Sequence, residues 1–155
     1  MTKELEFDLA AAHRYFAIDC FNRSWDLIEK KARTPDEDEE MLRLSFASIW
    51  HWTQREDCTL TNLSVSYWQT ARIYSLLGQI ENARRYGMLS LQTSQKEGVA
   101  PFALGYAYEA LARAEMIAGN RDQMTTYLDE ARRICEKLTD EEDRKMLLSD
   151  LESIR

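Results

Sequence analysis

Five glycines and two prolines among 155 residues are too few to punctuate an all-β chain, whose strands turn about every 8–12 residues. Runs of alternating β-branched residues are missing too, so the chain reads as all-α. The cysteines are three, Cys20, Cys58 and Cys135, an odd and widely spaced set. That pattern excludes a disulfide framework and leads to an expectation of reduced thiols and a cytoplasmic location. No apolar run approaches the roughly 18 residues of a membrane helix, and the opening Met-Thr-Lys-Glu-Leu-Glu-Phe-Asp has no apolar signal core, so no membrane partner is expected. Net positive charge is lacking: the formal net charge is −7. An acidic chain is a poor binder of a nucleic-acid backbone, so no nucleic-acid partner is expected either. A phosphate-binding glycine loop, a zinc-ligand spacing and a nucleophile elbow are all missing. The reading therefore assigns no catalytic residues, no cofactor and no metal, and an enzyme is the less favoured class.

What is present is a globular composition, 45% hydrophobic and 30% charged, of a length that suits one domain over residues 1–155. The charge is uneven. Residues 1–59 carry 8 Lys/Arg against 13 Asp/Glu, residues 60–121 carry 6 against 4, and residues 122–155 carry 6 against 10. The least acidic segment also holds a pattern written twice. Tyr67-x-x-x-Ala71-Arg72-x-x-x-x-x-Gly78 returns as Tyr108-x-x-x-Ala112-Arg113-x-x-x-x-x-Gly119, an offset of 41 residues. Self-similarity at such a period is the mark of stacked supersecondary units. In each copy the tyrosine and alanine share a helix face, the glycine stops the helix, and a second helix follows, from Ile80 to about Lys96 and from Arg121 to about Lys137.

Around this pair the chain divides into N-terminal helices over 1–59, the two repeats over 62–137 and a closing helix over 139–155. Residues 3–21 form an amphipathic pattern, Asn22-Arg23-Ser24 reads as a turn, and Ser24 as the N-cap of a short helix carrying Trp25, Leu27 and Ile28. Thr34-Pro35-Asp36-Glu37 is a strong helix start. The acid run that follows complements the helix dipole on a solvated surface, with an acidic docking site as the alternative. Thr61 or Asn62 is the expected cap of the first repeat helix, and Thr139 that of the last helix, which would cover the open end of a stack. The total is about eight helices. Whether the helices before residue 59 form a true repeat stays open.

The doubled pattern resembles the tetratricopeptide repeat. That family's helix–turn–helix unit carries an aromatic, Leu, Gly/Ala and Tyr on its first helix, a turn glycine, then Ala, an aromatic and Ala on the second. Tyr67, Ala71, Tyr74, Gly78 and Ala83 match in one copy; Tyr108, Leu111, Ala112, Gly119, Leu128 and Ala131 match in the other. Thr70, Gly87, Glu115 and Met124 depart from it, and the period exceeds the usual ~34 residues. One extra turn in each helix accounts for the excess and keeps the faces in phase. The stretches 12–16, 22–26 and 50–52 also look like small stand-alone bacterial proteins of this type, whose activity is unsettled.

The resemblance implies antiparallel helix hairpins stacked as a short right-handed solenoid, with a concave groove lined by the first helix of each unit. Carried over, the groove positions are Val65, Trp68, Arg72, Ser75 and Leu76, then Tyr106, Glu109, Arg113, Met116 and Ile117. Some relatives hold peptide carboxylates there, and Arg72 beside Arg113 would suit one. The leading expectation is thus a non-catalytic interaction module for a protein or peptide segment, with Trp68, Arg72, Ser75, Tyr106, Glu109 and Arg113 as its contacts. The bland alternative is surface pairing: Glu109 lies four residues before Arg113 and Trp68 four before Arg72.

A different reading places a small-molecule pocket or an unrecognised enzyme site in the N-terminal half, using His13, His51 and Trp52. Each histidine precedes a cysteine by seven residues, but two helical turns, about 10.5 Å, keep one metal from bridging either pair. A site assembled from both helices is the remaining metal geometry. The plainer reading buries the histidines among aromatics, since His51 lies between Trp50 and Trp52. Self-association into a homo-oligomer is a third possibility, because short solenoids expose open faces.

Overall fold

The computed structural model describes residues 6–155. Seven α-helices and no strands occur among the described residues: α1 (Leu9–Ile28), α2 (Pro35–Thr53), α3 (Leu60–Leu76), α4 (Ile80–Ser94), α5 (Pro101–Ala118), α6 (Arg121–Lys137) and α7 (Glu141–Glu152). The chain divides into two compact units, Met1–Cys58 and Thr59–Arg155.

The first unit is a hairpin of α1 and α2. The two helices expected over 3–21 and from Ser24 are one unbroken helix, so the described total is seven rather than about eight. Residues 3–5 of that expectation lie outside the described residues. Asp8 caps α1, its carboxylate accepting from the Ala11 N–H at 3.0 Å. Asn22, Arg23 and Ser24 do not break it because none removes a backbone donor or demands a left-handed conformation. Ser24 instead lies buried and donates its hydroxyl to the Met41 carbonyl at 3.0 Å. Ser48 makes the reciprocal contact to the Ala17 carbonyl at 2.6 Å. Small side chains at these crossings let the backbones approach, and the interior holds few large side chains: Ile28, Met41 and Leu44 beside Ala17, Cys20, Ser24, Ser45 and Ser48. α2 begins as expected, with Pro35 at its first position and Thr34 and Glu37 in a reciprocal capping box.

The second unit contains both copies of the repeated pattern. α3 starts two residues before the expected window: Thr59, not Thr61 or Asn62, is the cap, and Asn62 reaches back to it. Thr61 is occupied elsewhere, accepting from the Ala100 N–H at 3.0 Å just before Pro101 opens α5. Asp140, not Thr139, caps α7, accepting from the Asp143 N–H at 2.9 Å. Gly78 and Gly119 end their helices with φ of 69° and 72°, a conformation that a Cβ disfavours.

The two hairpins repeat each other in detail. Tyr67 of α3 meets Tyr86 of α4 with ring centroids 6.2 Å apart, and 41 residues on Tyr108 of α5 meets Tyr127 of α6, again at 6.2 Å. Three of the four residues that depart from the tetratricopeptide pattern have local explanations. Thr70 returns its hydroxyl to the Ser66 carbonyl, and Gly87 leaves space for Leu111, whose Cδ2 would lie 2.8 Å from any added Cβ. Glu115, where the first copy has Tyr74, reaches back to the preceding hairpin and takes both Nε and Nη2 of Arg84, at 2.8 and 2.9 Å.

Packing extends the pattern beyond the second copy. α5 packs on both α3 and α4; α7 in turn packs on both α5 and α6. α7 therefore takes toward the second hairpin the place that α5 takes toward the first. Its Leu147, Leu151 and the following Ile154 close a core with Ala112, Leu128, Ala131 and Cys135. Gly105 makes that approach possible, since a Cβ there would stand 2.5 Å from Leu147 Cδ2.

Candidate functional site

An offset of 41 residues puts Trp68, Glu109 and Asp150 at one register position in α3, α5 and α7. The structure joins them. Glu109 is fully buried and lies at the centre of the cluster. Its Oε2 accepts the Trp68 indole N–H at 2.7 Å. Its Oε1 accepts from Arg72 Nη1 at 3.1 Å and from Arg113 Nε one turn along its own helix. The Arg113 guanidinium continues to α7, donating to the Asp150 carbonyl at 3.0 Å and to the Ser153 hydroxyl at 2.6 Å. Tyr106 sets its ring edge-on to Trp68, 4.8 Å between centroids, with its hydroxyl near the Asp150 carboxyl.

Charge burial governs this cluster. Desolvation, followed by the Glu109 charge, pushes the Asp150 carboxyl above the ordinary carboxylate range, although Arg72 and Arg113 pull the other way. Burial likewise lifts the Tyr106 hydroxyl, with Asp150 second, and lowers Arg72 despite the Glu109 carboxylate beside it. A carboxylate with this little water is tolerable because three donors satisfy it. The result is a rigid tie between successive helices, with one rim left accessible: the Arg72 side chain keeps 19% of its surface exposed, and Leu76, one turn on, is 43% exposed.

Of the six residues expected to act together, Trp68, Arg72, Tyr106, Glu109 and Arg113 form this single network. Ser75 is buried instead, and its hydroxyl finds no hydrogen-bond partner among the described residues. Asp150 and Ser153 were missed as members. The available signal was the offset of 41 applied once more, which carries Glu109 onto Asp150.

The first unit holds the other set of candidates. His13 of α1 and His51 of α2 meet with their Nδ1 atoms 2.9 Å apart. Phe16 stacks on His51 at 5.4 Å, and Trp50 sets its edge against both histidines. His51 titrates below the ordinary range, through burial first and the His13 charge second. Trp52 is half-buried. His13 also forms part of the wall of a cleft of about 680 Å³, with Leu9, Gln54, Glu56 and Asp57 among its other lining residues. Arg55 and Asp57, also in its lining, pair with each other, and Arg55 donates to the Ala10 carbonyl at 2.9 Å. No group of three or more His, Cys, Asp or Glu side chains among the described residues could hold a metal. Among the same residues no helix is long and apolar enough to cross a membrane.

Compared with protein-family models, with curated proteins and with solved structures, the chain matches none.

Proposed function

We propose that the second unit is a non-catalytic interaction module of the tetratricopeptide-repeat type, a short right-handed solenoid that binds a peptide or protein segment along the face shared by α3 and α5. The observation that supports this reading is the convergence of Trp68 with Glu109 and of Arg72 with Arg113, equivalent positions of two repeats, in one network. A ligand carboxylate would meet the exposed edge of Arg72. Glu109 holds that guanidinium in place, so little ordering remains to be done on binding. Leu76 supplies apolar contact beside it.

The test is fluorescence polarisation with short acidic peptides, each with a free or an amidated C-terminus, against wild type and Arg72→Gln. Carboxylate-bearing peptides that bind wild type and lose at least tenfold in the variant, with helix content unchanged, support the reading. Equal affinity for both proteins removes it.

A second reading rests on the cleft beside His13, which suits a small molecule and leaves room for an unrecognised enzyme site with His51 and Trp52 near it. Loss of small-molecule binding in His13→Gln, with peptide binding intact, would favour that reading over the first.

A further inference from the structure

We infer that the outer face of α1 is the seam of a parallel homodimer, in which the helix pairs in register with α1 of a second copy of this chain. Ala11, Tyr15, Ile18, Asn22 and Trp25 follow one another at intervals of 4, 3, 4 and 3 residues. That alternation is a heptad seam, with Tyr15 and Asn22 at the a positions and Ala11, Ile18 and Trp25 at the d positions. α1 uses a different stripe, Ala17, Cys20, Ser24 and Ile28, for the interior of its own hairpin. The seam lies about 135° around the helix from that stripe, at 3.6 residues per turn. Tyr15 is 62% exposed and Ile18 42%; Ala11 and Asn22 are exposed as well, and Trp25 is half-buried.

The shape of this face fits a second copy. A depression of about 470 Å³ is lined by Ala11, Arg14, Tyr15, Ile18, Asp19 and Asn22, all from α1. These six make two overlapping diamonds of the helix surface: Ala11, Arg14, Tyr15 and Ile18, then Tyr15, Ile18, Asp19 and Asn22. Each is a hole of four residues of the kind that accepts one knob from a facing helix. In parallel, in-register pairing the first hole receives the partner's Tyr15 and the second the partner's Ile18.

Charge selects the same direction. Arg14 and Asp19 flank the seam at its g and e positions. Parallel pairing sets the g residue of one chain against the e residue five places on in the other, so Arg14 meets the partner's Asp19 twice over. Antiparallel pairing would set arginine against arginine and aspartate against aspartate. Within its own chain Asp19 reaches Arg23 at 3.7 Å, a long contact that leaves the carboxylate able to take a second cation. Asn22 is the polar residue of the seam, and an asparagine at a single a position fixes register and strand number at some cost in stability. The hairpin also gains from such cover, because its interior is mostly alanine, serine and cysteine and two helices alone enclose little core.

Sedimentation equilibrium of the full chain at about 100 μM, a concentration that reveals micromolar association, should give twice the monomer mass. Ile18→Glu should raise the dissociation constant at least tenfold with helix content unchanged, since Ile18 lies outside the hairpin interior. Ala11→Cys, oxidised with diamide, should yield more disulfide-linked dimer than the wild type treated alike. Parallel pairing alone brings Ala11 beside its own copy within disulfide reach. A wild type that stays monomeric at that concentration overturns the proposal and leaves the seam to a different protein. Ile18→Glu that dimerises as tightly as the wild type overturns it too. So does Ala11→Cys with no excess of linked dimer, a readout that decides the matter even if Ile18→Glu fails to fold.

Discussion

The indole N–H of Trp68 donates to Glu109 Oε2 at 2.7 Å, and the two residues are 41 positions apart, one full repeat. Position n of one helix thus bonds to its own equivalent in the next. Arg72 and Arg113, the next equivalent pair, do not bond each other but share the Glu109 carboxylate between them. The repeat is therefore a statement about lateral contact as well as about periodicity.

Glu109→Ala tests that carboxylate. It is fully buried, and its loss strands the guanidinium of Arg113, which is itself 7% exposed. Removing one partner of a buried pair costs about 3–5 kcal/mol, and that loss is expected in urea denaturation. A loss below about 1 kcal/mol would mean that the network holds little of the packing together.

Asp150→Asn tests the pH response. The native carboxyl titrates above its ordinary value, so the folded state binds the proton more tightly than the unfolded chain. Stability from this group is complete below the ordinary Asp value and falls as pH rises through the native one. Glu115 works in the opposite sense, because Arg84 holds it low and its contribution fades as pH falls. The difference between wild type and Asp150→Asn isolates the first effect. The variant should be relatively more stable toward neutral pH than at acid pH, measured by thermal melting across the carboxylate range. A constant difference would contradict the shift.

Gly105→Ala tests the seat of α7. The added methyl would stand 2.5 Å from Leu147 Cδ2 and 3.3 Å from Ile134 Cγ2, and Leu147 has no exposed surface into which to retreat. Overpacking of this kind costs about 1–3 kcal/mol. Hydrogen exchange should show the loss concentrated in α7 and the adjoining part of α5. Protection equal to wild type in α7 would show that the helix does not rest on Gly105.

Much of this arrangement was legible in the sequence. The all-α composition, the twin glycine stops and the Thr34 cap each have a local cause that a short window displays. The N-terminal turn was misread because Asn22-Arg23-Ser24 has loop composition, yet its serine spends its hydroxyl on a carbonyl of the opposite helix. Only the tertiary partner, Met41, decides that position. Thr59 and Asp140 were passed over for neighbours that are equally good caps in isolation. The site was half visible: the arginines and the tryptophan stood out, whereas Asp150 lies outside the doubled pattern because Ser149, Ser153 and Ile154 stand where Tyr108, Ala112 and Arg113 stood. The meeting of His13 and His51 had no local signal, since 38 residues separate them.

A double-mutant cycle between Trp68→Phe and Glu109→Gln is the most direct measurement of the central claim, that equivalent positions of successive repeats bond to one another. A hydrogen bond to a charged acceptor predicts a coupling of about 1.5–3 kcal/mol between the two changes in urea denaturation. Additive effects, within about 0.5 kcal/mol, would contradict the lateral contact on which the account stands.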